Sequence, residues 1–154
     1  VKRLIIPIVC LMLLAAGGCT GKKQEGPGDQ STGPGVREIP FERYETRRAP
    51  AKVAAAAKKN LTRESAILLE EEGSFWVVLT RGQMPTGGYS VRVADAKLTE
   101  KENGVTELTV SYSYNDPGPG QLVTQALTYP VEVVLLKGLS QMPGKVEYVQ
   151  IPQK

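Results

Sequence analysis

Cys19, the serines with the lysines, and the acidic run Glu70-Glu71-Glu72 are the side chains of this 154-residue chain that could do chemistry. A thiolate is a nucleophile, a lysine can take a proton from a serine, and clustered carboxylates can hold a cation. Histidine is absent. Its absence removes Ser-His-Asp and Cys-His catalysis and every histidine-based metal site. No spacing singles out a Ser–Lys pair. The acidic run lies next to Gly73-Ser74 and reads as a solvated hairpin tip. Gly87-Gly88 lacks the Lys and Ser/Thr of a phosphate-binding loop. No catalytic residue, metal or cofactor is therefore expected.

Cys19 has a different expected use. Lys2 and Arg3 are followed by an apolar run of 13 residues, Leu4 to Ala16. Ala15-Ala16-Gly17-Gly18 then supplies small residues before the cysteine. This is the pattern of a secretory signal, short for a bilayer span. Small residues directly before a Cys resemble a bacterial lipobox, although Ala16 stands where Leu is usual. The resemblance implies a diacylglyceryl thioether on Cys19 and cleavage before it. Residues 1–18 are thus expected to be a lipoprotein signal peptide, and the protein to be exported and lipid-anchored to a bacterial membrane, facing the periplasm or the exterior. Losing Cys10 with the signal would leave Cys19 alone, so no internal disulfide could help hold the domain.

Loss of Lys2 and Arg3 also lowers the formal charge from +3 to +1. No basic stripe with interleaved aromatics occurs, and nucleic-acid binding has no support. Residues 19–36 are rich in Gly, Pro, Ser, Thr, Lys and Gln, with no apolar period. They read as a tether behind the lipidated Cys, spanning roughly 20–25 Å if flexible.

From Arg37 to Lys154 the composition is that of one domain. Ile39, Phe41 and Tyr44 suggest an edge strand, with Pro40 arguing for the edge. Pro50 opens an alanine-rich segment, Ala51 to Lys59, which predicts a short helix lying against a sheet. Ala66 to Leu69 and Phe75 to Leu79 flank a turn signal and predict a hairpin. The second of these runs is continuously apolar, so its strand should be central and covered on both faces. Tyr89, Val91 and Val93 alternate with polar or small residues, as do Leu108, Val110, Tyr112 and Tyr114. Glu102-Asn103-Gly104 can turn between them. Leu122 to Leu127 resumes an apolar pattern, which Pro130 interrupts and Val131 to Leu136 completes. Val146 to Ile151 predicts a last strand. The expected architecture is mainly β: a small two-layer β-sandwich or partly open barrel of six to seven strands with one short N-terminal helix.

With chemistry excluded, surface remains. Met84-Pro85-Thr86-Gly87-Gly88-Tyr89 joins two predicted strands. Proline fixes one backbone angle and glycines permit angles that other residues avoid. Asn115-Asp116-Pro117-Gly118-Pro119-Gly120 is a second stiff loop. Met84 and Thr86 are the expected exposed contacts. Tyr89, at the loop–strand junction, is expected to brace the loop, and Trp76 to be core. A purely structural reading of the motif is a demanding turn, with the glycines set by backbone angle and Tyr89 by packing.

Pro85-Thr86-Gly87-Gly88-Tyr89-Ser90, then Asn115 to Gly120, then Thr124-Gln125 and Thr128-Tyr129-Pro130 form an ordered series. It resembles the C-terminal domain of PrcB-type protease-complex subunits, over roughly Pro50 to Lys137. Those are small exported lipoproteins, and the described member associates with and helps stabilise a surface serine protease complex. A second similarity runs from Met84 to Tyr89. It is similar to the Asn-Pro-Thr-Thr-Gly-Tyr loop of chagasin-type protease inhibitors, which are immunoglobulin-like sandwiches. Here Met84 replaces the leading Asn, Gly87 replaces the second Thr, and no Arg-Pro-Trp element follows.

The resemblances imply a membrane-anchored, non-catalytic protein-binding module, an accessory subunit of an exported protease complex, whose partners are a protease or other envelope protein and the bilayer. The alternatives are a reversible protease inhibitor working through Pro85–Tyr89 and Asp116–Gly120, and a structural envelope lipoprotein. The candidate contact residues are Met84, Pro85, Thr86, Gly87, Gly88, Tyr89, Pro117, Gly118, Pro119 and Gly120.

Overall fold

The computed structural model describes residues 35–101 and 104–152. The expected signal peptide, Cys19 and all of the tether before Gly35 lie outside the described residues.

Eight strands form two four-stranded sheets: β1 (Val36–Glu38), β2 (Phe41–Tyr44), β3 (Glu64–Glu71), β4 (Ser74–Arg81), β5 (Ser90–Glu100), β6 (Thr106–Asn115), β7 (Val131–Leu136) and β8 (Lys145–Gln150). One sheet has the order β1-β5-β6-β8 and the other β2-β7-β4-β3. All pairings are antiparallel except β6 with β8. The sheets stack as a sandwich, with no closed barrel. One helix, α1 (Ala51–Asn60), lies on the outside of the β4-containing sheet.

β4 occupies the place that its apolar run predicts. It lies between β7 and β3. Phe75, Val77 and Leu79 point between the sheets, beside Val91, Val93, Leu108, Val110 and Val134. Trp76 and Val78 point the other way, under Val53 and Ala57 of α1. Val53 and Ala57 are one helical turn apart, so this short helix presents one narrow apolar stripe. Trp76 is core, and its ring meets Tyr44 edge-on at 4.9 Å. Asn60 ends the helix: its Nδ2 donates to Ala56 O at 2.8 Å and its Oδ1 accepts from Arg63 Nε at 2.9 Å.

Three features differ from the expectation. The predicted edge strand around Ile39 is two strands, one in each sheet. The chain crosses between sheets at Ile39-Pro40, where Ile39 N donates to Ala96 O and Pro40 O accepts from Lys137 N. Proline can end one ladder without leaving an unpaired N–H in the next. β1 begins at Val36, the last residue assigned to the tether. Second, β5 runs on to Glu100 because a bulge between Val93 and Asp95 resets its register. Val91 and Val93 face the core before the bulge, and Ala96 and Leu98 face it afterwards. A strict two-residue period therefore breaks in mid-strand, which hid the second half. Third, Leu122–Leu127 is not a strand. Leu122 is 99% exposed and Leu127 58% exposed, and the segment belongs to a long loop between β6 and β7.

The outer face of the β5-β6-β8 sheet is polar. Glu107 sits there, buried between Lys101, at 2.5 Å, and Lys145. Hydrogen bonds from Lys101 and Lys145 hold its carboxyl at about 2, against an ordinary 4.5. A carboxyl held low in the folded state stabilises the fold above its unfolded value, and loses that contribution as pH falls toward its folded value. Acid unfolding followed between pH 5 and 2 is expected to show a shallower fall in stability for Glu107→Gln than for the parent. Parallel curves would mean that Glu107 is not held low.

Candidate functional site

The end of β4 organises one pole of the sandwich. Arg81 is its last residue, and its side chain is only 12% exposed. Its backbone N–H donates to Pro130 O at 3.0 Å, just before β7 begins. Its guanidinium donates from Nη1 to Asn115 O at 3.0 Å and from Nη2 to Asp116 Oδ1. The same plane lies over the rings of Tyr114, at 4.6 Å, and Tyr89, at 5.1 Å. A guanidinium suits this place because it offers donors in its plane and a cationic face to aromatic rings. Burial, and then the Glu64 carboxylate, push the Tyr114 phenol up, so the ring under the cation stays neutral. One side chain thus fixes the start of the β6–β7 loop and the end of the β4–β5 loop.

The two stiff loops meet above it. Met84 and Thr128 form an isolated antiparallel bridge, with N–H···O distances of 2.8 and 3.0 Å in the two directions. Gly87 N donates to Thr124 O at 2.9 Å, and Thr128 Oγ1 donates to Thr86 O at 2.6 Å. Tyr129 OH donates to Gln83 Oε1 at 3.2 Å. Gly88 has φ +88°, and a Cβ there would lie 3.0 Å from both Pro117 and Val123. At Gly87 a Cβ would lie 3.4 Å from that of Thr124. The glycine pair therefore serves close approach between loops as well as backbone angle.

This arrangement redistributes the expected contact residues. Met84 and Thr86 are half-buried and joined to the second loop, where exposure was expected, because bridging consumes their backbone groups. Tyr89 is half-buried and braces, as its junction position suggested. Pro85, Gly118, Pro119 and Gly120 are exposed, while Pro117 packs toward Gly88. The large apolar side chains exposed on this pole are Leu122, Leu127 and Tyr129. Sequence reasoning took Leu122 and Leu127 for strand residues and gave Arg81 no role. A compositional signal was present. Residues 82–91 and 115–131 contain a single charged side chain, Asp116, in a chain that is 23% charged. Asp116 is paired with Arg81. Beside the pole, Glu132 is buried and held by Arg43, at 2.8 Å, and Arg92, at 3.2 Å. Among the described residues no cluster of acidic or sulfur ligands is placed to hold a metal ion.

Residues 76–137 match the family model described as PrcB C-terminal. This stretch belongs to that family. The match opens on Trp76 in β4 and closes on Lys137 after β7. The PrcB C-terminal region of this chain is therefore the two core hairpin strands, β5 and β6, the central strands β4 and β7, and both tied loops. No curated protein and no solved structure matches the chain.

The contacts at Gly88 separate steric from torsional demand. Gly88→Ala is expected to cost about 1–3 kcal/mol, through its positive φ and the crowding against Pro117 and Val123. Gly120→Ala also places a side chain at positive φ, but its Cβ meets nothing within 4 Å. It is expected to cost about 1 kcal/mol. The two urea midpoints, read at equal slope, check the order.

Proposed function

We propose that this chain is a membrane-anchored, non-catalytic protein-binding module that serves an exported protease complex as an accessory subunit. One observation carries the reading: two Pro/Gly loops, fastened to each other, form a pole whose one charged loop residue, Asp116, is paired with Arg81, and from which Leu122, Leu127 and Tyr129 project. Depletion of charge around apolar and aromatic anchors is the composition of an interface centre. Fastened loops lose little conformational freedom on docking, so more of the contact energy appears as affinity. The family match supports a protease complex as the setting, because it spans both loops. The lipobox-like segment before Cys19 supports the anchor.

Two measurements test the reading. The first is in-cell crosslinking, followed by purification of the tagged full chain from detergent-solubilised membranes. It is expected to bring down an exported protease or its partner subunit. The double variant Leu127→Asp/Tyr129→Ser is expected to lose that partner by at least tenfold with an unchanged melting temperature. Equal recovery with the variant would remove this surface from the interface. The second is incorporation of labelled fatty acid, expected in the parent chain and absent in Cys19→Ser. Labelling of neither chain would remove the anchor.

A further inference from the structure

We propose that the free edge of β3 is a strand-addition site, and that its ligand is an extended segment of another protein, apolar at its centre and with a lysine or arginine toward each end. This edge lies outside the tied loops and is a second surface.

β3 is the outermost strand of its sheet, paired only with β4. The ladder fixes which of its backbone groups are unpaired. Arg81 N–H donates to Pro130 O, on the β7 side of β4, so Leu79 and Val77 turn their backbone groups to β7 as well. Their partners Ala66 and Leu68 are therefore the non-bonded pairs of the β3–β4 ladder, and their N–H and C=O groups point away from the sheet. Glu70 confirms the alternation, since its C=O points outward and accepts from Lys52 Nζ at 2.7 Å. Among the described residues nothing bonds the outward groups of Ala66 and Leu68. Every residue from Ser65 to Leu69 is half-buried, whereas its neighbours on β4 from Trp76 to Thr80 are buried.

The other edges are guarded. β1 and β2 are three and four residues long and are joined through Pro40. Where β5 runs on beyond β1, Arg43 Nη2 donates to Val93 O at 2.8 Å. β8 carries Lys145 and Glu147 and ends shortly before Pro152. β3 has eight residues, a register without a bulge, and Ala-Ile-Leu-Leu at its centre. Short length, proline, bulges and charge are the means by which edge strands avoid pairing, and the centre of β3 has none of them.

Side-chain charge identifies what pairs there. Ala66 and Leu68 face the inter-sheet core, and the two-residue period puts Glu64 and Glu70 on the same face. Two exposed carboxylates, roughly 20 Å apart, thus bracket two apolar residues. Among the described residues neither forms an ion pair with a lysine or arginine. A strand with basic residues opposite them and apolar residues between satisfies both the backbone and the charges. A second copy of this chain fits poorly. In a two-fold antiparallel pair centred on Ile67, each Glu64 would face the other copy's Glu70, and like charges directly opposite are destabilising.

The test titrates the full chain in detergent with the peptide Lys-Thr-Val-Thr-Val-Thr-Lys and with its counterpart carrying Glu at both ends. The basic peptide is expected to bind at least about tenfold more tightly, and Glu70→Lys to weaken it. Amide exchange read by NMR is expected to slow at Ala66 and Leu68 more than at Ile67, whose N–H already lies in the β4 ladder. Versions N-methylated on the valines or on the threonines are expected to differ, because one set of amides faces β3 and the other faces water. The variant Leu127→Asp/Tyr129→Ser is expected to bind as the parent does. No binding, equal affinity for the acidic peptide, unchanged exchange at Ala66 and Leu68, or equal behaviour of the two methylated versions would each overturn the proposal. Loss of binding in Leu127→Asp/Tyr129→Ser would overturn it by placing the peptide on the loops. A dimer of the parent that the peptide fails to dissociate would overturn it by giving the edge to a second copy.

Discussion

β4 has to be buried on both faces, and the rest of the structure is arranged around that constraint. Its residues from Phe75 to Thr80 are all buried. One face requires a second sheet, which β5, β6 and β8 supply. The other requires a cover, which the short helix supplies through Val53 and Ala57. An alanine-rich helix with a single valine in its stripe has little stability of its own. It forms because Trp76 and Val78 give that stripe something to lie on. The buried Thr80 fits the same scheme, since its hydroxyl donates to Arg63 O at 2.8 Å, just after the helix.

The same strand that demands burial delivers Arg81 to the edge of the core. The guanidinium takes its place among two rings, a backbone carbonyl and a carboxylate, and so ties the loops on either side. Long loops without secondary structure of their own are usually mobile or functional. Here the fifteen residues 116–130 are held by a bridge, five further hydrogen bonds to or within the loops, and two glycines that admit close contact. These ties keep the loop backbone away from the sheet while Leu122, Leu127 and Tyr129 stay exposed. The Pro/Gly content stiffens each loop separately, and the inter-loop contacts convert two stiff loops into one surface.

This division of labour refines the motif from Pro85 to Tyr89. Its glycines and Tyr89 join and brace the loops, while the exposed large apolar side chains lie on the other loop. The two readings of the motif are therefore compatible. Gly88 is required by backbone angle and by the close approach of Pro117 and Val123 from the other loop.

The sequence by itself determined the β-class, the centrality of β4, the short helix against a sheet, the glycine-dependent loops and the family. Each is a local property: a continuous apolar run, an alanine-rich segment behind a proline, a period of two, or a short motif. The absence of histidine likewise needed no structure to exclude the commonest catalytic arrangements. Tertiary structure alone decided what depends on pairing across long separations. The bulge at Ala94 breaks a period that only the β6 register explains. The sheet switch at Ile39-Pro40 places neighbouring residues in different sheets. Leu122 and Leu127 have the side chains of a strand, but they lie in a loop whose Thr124 and Thr128 pair with Gly87 and Met84. Exposure is not a property of a residue type: it is what remains once the backbone has found its partners, and those partners lay some forty residues away.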